Sequence, residues 1–280
     1  MALAYHRRSS LFPRAGFTLI ELLVTLTIIT MVAGLSLAGL ASSRQRAKID
    51  KTKNTIRKLH EIVIPQYESY LARRVAGSTA NARLSALRLL MVQEMPDQWA
   101  DVYALSAVPA TATAPPRRYA DYRNAISPTA RYEGAECLAM LVTRGGFAPD
   151  AVELFRNDEM GDIDGDGAPE FWDGWGIPIG FIRWPAGFAS PVQELNATTN
   201  PDPYDPTGAS GDYGLLPLIY SSGPNGATDD PQSVASGYAA SASGLANPLT
   251  STRFGSPLPG TVINTTAAAD NITNHDLISK

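Results

Sequence analysis

The chain has 280 residues, 44% of them apolar and 18% charged, with 23 Gly and 21 Pro; this is loop-rich, yet too apolar for disorder throughout. Lys and Arg total 23 against 27 Asp and Glu, a net charge of -4, so the basic footprint of a nucleic-acid binder is missing and no nucleic-acid partner is expected. A single cysteine, Cys137, excludes an intramolecular disulfide, and His6, His60 and His275 build no zinc pattern. The Walker A, Gly-x-Ser-x-Gly, Gly-x-Gly-x-x-Gly and His-Glu-x-x-His signatures do not occur, so no catalytic residue is assigned and an enzyme is not expected.

From Leu22 to Ser43 the chain carries no charge. As a helix rising ~1.5 Å per residue this run is long enough to cross ~30 Å of hydrocarbon, and it exceeds the ~7 to 15 apolar residues of a cleaved secretory signal. Upstream, Arg7, Arg8 and Arg14 suit a leader held in the cytoplasm, whereas Arg44, Arg46, Lys48, Lys51, Lys53, Arg57 and Lys58 favour the opposite orientation by charge alone. Glu21 is out of place in an apolar segment unless it lies at the headgroup boundary or is paired.

The segment Arg14-Ala15-Gly16-Phe17-Thr18-Leu19-Ile20-Glu21 resembles the processing site of type IV prepilins and type II secretion pseudopilins. The resemblance implies a leader over residues 1–16, cleavage by a prepilin peptidase after Gly16, methylation of Phe17, and a transmembrane helix over 17–43. It also implies an N-terminus in the cytoplasm, which settles the charge conflict and puts the C-terminal part in the periplasm or outside the cell. Glu21 would pair with the Phe17 amine of a neighbouring subunit, compensating two desolvated charges and setting the stagger between helices.

Ile49, Ile56, Val63 and Tyr70 recur every seven residues, with Leu59 and Tyr67 between them, which predicts an amphipathic extension of the N-terminal helix over 44–75. Pro65 inside this pattern predicts a kink or an end near residue 64. Residues 76–280 then form an extracytoplasmic domain. Asn81–Met95 reads as a helix stopped by Pro96, residues 107–118 as a loop, and Glu133–Thr143 as a helix burying Cys137, Leu138 and Leu141. Ile177–Trp184 and Leu215–Tyr220 read as strands, with Thr261–Thr265 a weaker one, and the Ser-, Ala- and Gly-rich stretch 232–249 as surface loop. Helices first and a small antiparallel sheet later make an α+β, pilin-like domain.

Residues 162–173 fit the spacing of an EF-hand-type calcium loop. Asp162, Asp164 and Asp166 supply the first three ligands, Gly167 the turn, Ala168 a backbone carbonyl, Glu170 a direct or water-bridged contact and Asp173 the last. Asp173 is shorter than the usual Glu, and flanking helices of EF-hand type are not evident around Pro169 and Pro178. Either the loop binds a structural calcium ion or it is a solvated acidic turn; magnesium fits less well because it takes few carboxylates.

A second resemblance, to the major pseudopilin's sheet and calcium-binding C-terminal loop, rests on Trp175-Gly176-Ile177-Pro178, Ile219–Gly226, Asn271-Ile272 and His275-Asp276-Leu277. The order agrees, the spacing before Asp276 is longer, and Asn225 stands where that family has Asp. It implies a second calcium site at Ser222, Asn225, Asp229 and Asp276, against ordinary turn and cap chemistry for the same residues. His275 and Asp276 read as a surface pair.

The sequence thus predicts a structural subunit of a type II secretion pseudopilus or type IV pilus-like filament in the inner membrane. The resemblance supplies its partners: prepilin peptidase, other subunits, membrane lipid, an assembly platform and its ATPase. The alternative is a membrane-anchored, calcium-stabilised binding or adhesion module that never polymerises.

Overall fold

A computed structural model describes residues 16–103, 117–129, 131–146, 150–208, 210–225, 238 and 257–279. The chain divides into two compact units, one ending at Arg46 and the other beginning at Ala47. Helix α1, Leu19–Ser69, runs through both. From Phe17, just before it, to Leu40 every large apolar side chain is exposed, and the helix is long and apolar enough to span a membrane.

In the second unit α1 buries Thr52, Thr55, Ile56, Leu59, Ile62, Val63, Ile64 and Tyr67, which includes Ile56, Leu59, Val63 and Tyr67 of the stripe that the heptad spacing predicts; Ile49 is half-buried. Pro65 does not end the helix, which continues to Ser69 and a short 3-10 turn at Tyr70–Ala72. Proline removes one backbone donor there, but Tyr67 and Tyr70 are buried just beyond it. The Tyr67 hydroxyl donates to the Leu215 carbonyl at 2.9 Å, and that of Tyr70 to Glu94 Oε2 at 2.8 Å. Tertiary anchoring outweighs the local penalty.

Helix α2, Ala80–Glu94, begins where the Thr79 hydroxyl accepts the Ala82 N–H, and α3 spans Trp99–Tyr103. Helix α4, Arg117–Ala125, takes up residues 117–118 of the expected loop, the remainder of which, 107–116, lies outside the described residues. It follows Pro115-Pro116, residues compatible with a helix start, and Tyr119 anchors it, fully buried with its hydroxyl on the Glu94 carbonyl. Helix α5, Glu133–Arg144, is buried from Gly134 to Val142 and packs against the strands at Glu170–Phe171 and Gly180–Ile182. Cys137 lies in its core face, fully buried, and burial pushes its thiol up.

Two small antiparallel sheets complete the α+β architecture. Strands β1, Met160–Gly161, and β2, Glu170–Phe171, form a hairpin with Gly161 opposite Glu170. Strands β3, Gly180–Ile182, β4, Leu218–Ser221, and β5, Ile272–Thr273, form the other, with β4 central. The third strand is therefore Ile272–Thr273 and not Thr261–Thr265, where Val262 bridges only Tyr238 and Thr265 starts a helical turn. Apart from residue 238, the stretch 232–249 lies outside the described residues.

A buried ion cluster ties these layers together. Arg183, beside β3, donates from Nη1 to Asp101 Oδ2 at 2.9 Å and the Met95 carbonyl at 2.7 Å, and pairs through Nη2 with Asp97 at 3.2 Å. Burial, with Asp97 close by, pushes the Asp101 carboxyl up to about 7 against the opposing pull of Arg183.

Candidate functional site

At the N-terminus Thr18 and Glu21 form a capping box. The Thr18 N–H and hydroxyl both donate to Glu21 Oε2, at 2.8 and 2.9 Å, and the Glu21 N–H returns a bond to the Thr18 hydroxyl at 3.2 Å. The spacing Thr-x-x-Glu carried this signal in the sequence. Glu21 thus closes the start of its own helix. Gly16 and Phe17 lie just before it, both exposed, Phe17 at 87%. The leader, residues 1–15, lies outside the described residues.

The second chemically distinct place is the loop of the β1–β2 hairpin. Gly165 and Gly167 adopt φ of +78° and +94°, a left-handed backbone that favours glycine and lets the loop fold back on itself. Asp162 caps the turn, accepting the Gly165 and Gly167 N–H groups at 2.7 and 2.9 Å. Asp166 accepts the Ala168 N–H at 2.8 Å and the Thr129 N–H at 2.5 Å, while the Thr129 hydroxyl donates to Asp164 at 2.9 Å. Two groups of carboxylates result. One oxygen each from Asp162, Asp164 and Asp166 lies within 4.8 Å of the others, and the same holds for Glu136, Asp164 and Glu170.

Glu136 comes from α5, outside the stretch the loop spacing selects. Its Oε2 accepts the Trp99 indole N–H, and that of Glu170 the Ile163 N–H at 3.2 Å. Burial first, then the neighbouring acids, push Glu136 up to about 9 and Glu170 up to about 8, each against one opposing hydrogen bond. The pocket therefore resists its own negative charge.

Asp173, expected as the last ligand, is otherwise engaged. Oδ1 accepts the Trp175 and Ile177 N–H groups at 2.7 and 2.9 Å, and Oδ2 the Ser221 hydroxyl at 2.6 Å. The chain turns between Trp172 and Pro178, which bridge each other, with Gly176 at φ +82°, and Asp173 caps that turn. Ala168 is buried in the hydrophobic core.

The base of the hairpin grips α1. Lys51 pairs with Asp158 at 2.9 Å and Lys58 with the buried Glu159 at 2.9 Å; the Thr55 hydroxyl donates to Glu159 and the Gly174 N–H to the Thr52 hydroxyl. Part of the basic run that confuses orientation by charge alone is thus an intramolecular docking stripe.

At the C-terminal end, two of the candidates are engaged in local hydrogen bonds. Asn225 donates its amide to the Ala267 carbonyl at 3.0 Å, and Asp276 accepts the Thr273 hydroxyl at 2.7 Å in a helix cap. Ser222 is buried, Asp229 lies outside the described residues, and among the described residues Asp276 joins no group of acids close enough to share a cation. His275 is not part of a surface pair. It is fully buried, Nδ1 2.8 Å from the Ser190 hydroxyl and Nε2 3.3 Å from the Leu216 and Pro217 carbonyls, and burial pushes it down to about 4.

A family model described as the prokaryotic N-terminal methylation motif matches residues 12–37. No curated protein and no solved structure matches the chain. The motif implies processing by a prepilin peptidase and assembly with other pilin subunits, and with the apolar helix it points to a membrane-anchored, structural protein. A chain with this motif at the head of a long apolar helix, followed by a small α+β domain, fits a type IV pilin-like protein.

Proposed function

We propose that the protein is a structural subunit of a type II secretion pseudopilus or type IV pilus-like filament, cleaved after Gly16 and N-methylated at Phe17. The observation that carries this reading is the motif over 12–37 at the head of a helix whose apolar side chains, from Phe17 to Leu40, are exposed all round. Such a surface needs lipid first and the same surface of neighbouring subunits afterwards, and only a helix satisfies its backbone in both settings. The chain inserts with its N-terminus in the cytoplasm and its α+β unit in the periplasm or beyond. An inner-membrane platform and its ATPase then lift it into the filament. Glu21 holds the first turn of its helix through Thr18 and meets the Phe17 amine of the adjacent subunit, the one cation that assembly brings to this depth.

Co-expression with an active or an inactive prepilin peptidase tests the reading. With active peptidase, mass spectrometry of the membrane-bound chain shows an N-terminus at methylated Phe17, and sheared surface fractions contain it. A chain that stays uncleaved beside an active peptidase overturns the processing step. A cleaved chain that never leaves the membrane fraction overturns the filament and leaves an anchored binding module.

A further inference from the structure

We propose that Glu136 of α5 completes, with Asp162, Asp164, Asp166 and Glu170 of the β1–β2 loop, a binding site for calcium. The two carboxylate groups of the loop share Asp164, so they are one constellation rather than two. Glu136 is 1% exposed and Glu170 fully buried, and each keeps one oxygen, Oε1, with no hydrogen-bond partner in the protein; Asp164 Oδ1 is in the same condition. Among the described residues none of the five acids enters a salt bridge. Buried carboxylate oxygens with no donor are costly, and a cation in the Glu136, Asp164 and Glu170 group, where one oxygen of each lies within 4.8 Å of the others, would offset that cost.

The surroundings are built as a metal site's supporting layer is built. The Trp99 indole orients Glu136, the Ile163 N–H orients Glu170, and Thr129 orients both Asp164 and Asp166. All-oxygen donors without His or Cys exclude a zinc-type centre, and five carboxylates suit calcium, with its 6 to 8 ligands, better than magnesium, which keeps its waters. The loop's own twelfth residue cannot close the shell, because Asp173 is committed to the following turn and to Ser221; Glu136 replaces it from another element. Ion binding would then join α5 to the hairpin whose base grips α1 through Lys51, Lys58 and Thr52. The site is independent of filament formation, and its test does not require assembly.

The full-length chain in detergent micelles is stripped with chelator, then followed by calorimetric titration with calcium or magnesium and by thermal unfolding. The wild type is expected to bind calcium and to unfold at a higher temperature with calcium than with equal magnesium. Glu136→Gln, which can still accept the Trp99 N–H, is expected to weaken calcium binding by about tenfold or more while its unfolding temperature in chelator stays equal or rises. Asp173→Asn is expected to unfold at lower temperature in chelator and to keep its calcium affinity. Should Glu136→Gln not fold, Glu170→Gln and Asp164→Asn take its place. Absence of calcium binding by the wild type at millimolar concentration overturns the site. Undiminished binding by Glu136→Gln overturns the role of α5, and lost binding by Asp173→Asn restores the loop alone as the ligand set.

Discussion

His275 offers a sharp check on the C-terminal packing. Two carbonyls face Nε2, so that nitrogen carries the proton, and Nδ1 accepts the Ser190 hydroxyl; the ring is held neutral, edge-to-face against Phe188 at 5.2 Å. Burial lowers its affinity for a second proton, while the Pro217 and Leu216 carbonyls and Asp276 raise it and His60 lowers it, for a result of about 4. An unfolded histidine titrates near 6.5, so between those values the unfolded chain binds the proton first. The histidine's share of stability is therefore complete above about pH 6.5 and is lost as pH falls toward 4. At 1.36 kcal/mol per unit the loss reaches about 3 kcal/mol.

The perturbation is His275→Gln, which keeps an uncharged hydrogen-bonding side chain at the site. Urea unfolding of the full chain in detergent and chelator, read by tryptophan fluorescence, gives the stability difference between wild type and variant at pH 7.5, 5.5 and 4. Carboxylates common to both proteins cancel in that difference. The wild type's advantage is expected to shrink by up to about 3 kcal/mol across the range. A difference that stays constant with pH would falsify the neutral, buried imidazole.

Further outcomes follow from the same geometry. In Gly174→Ala the new Cβ overlaps the Lys48 carbonyl oxygen, which pushes the hairpin base off α1 and weakens the bond to Thr52. A loss of about 1–3 kcal/mol is expected, with faster hydrogen exchange over residues 48–55, and unchanged exchange there would count against the docking. Arg183→Met leaves Asp97 and Asp101 buried without their cation and is expected to cost about 3–5 kcal/mol in chemical unfolding at neutral pH; a cost below about 1 kcal/mol would contradict the cluster. Glu21→Gln retains the acceptor of the capping box but not the charge, whereas Glu21→Ala loses both. Filament yield in sheared fractions is expected to fall in both variants, and normal assembly of Glu21→Gln would exclude pairing with the neighbouring Phe17 amine.

What the sequence determined by itself is local or periodic. The processing motif, the apolar run and the heptad of Ile56, Val63 and Tyr70 are contiguous signals, and a helix turns such spacing directly into a face. The turn at Gly167 was read from the loop spacing, whereas the capping box of Thr18 and Glu21 and the cap that Asp162 makes on Gly165 and Gly167 were not, although both are closed within a few residues. The tertiary structure decided the rest. Pro65 stays helical because Tyr67 and Tyr70 are anchored to distant groups. Asp173 is a turn cap, while Glu136 from a distant helix lies among the clustered acids, since an isolated acid at the right spacing does not reveal what its neighbours in space will offer. His275 and Asp276 part for the same reason. Adjacent in sequence, they point to opposite environments, one into the packing of β4's approach and one onto a helix cap, and only chain folding sets which environment each side chain meets.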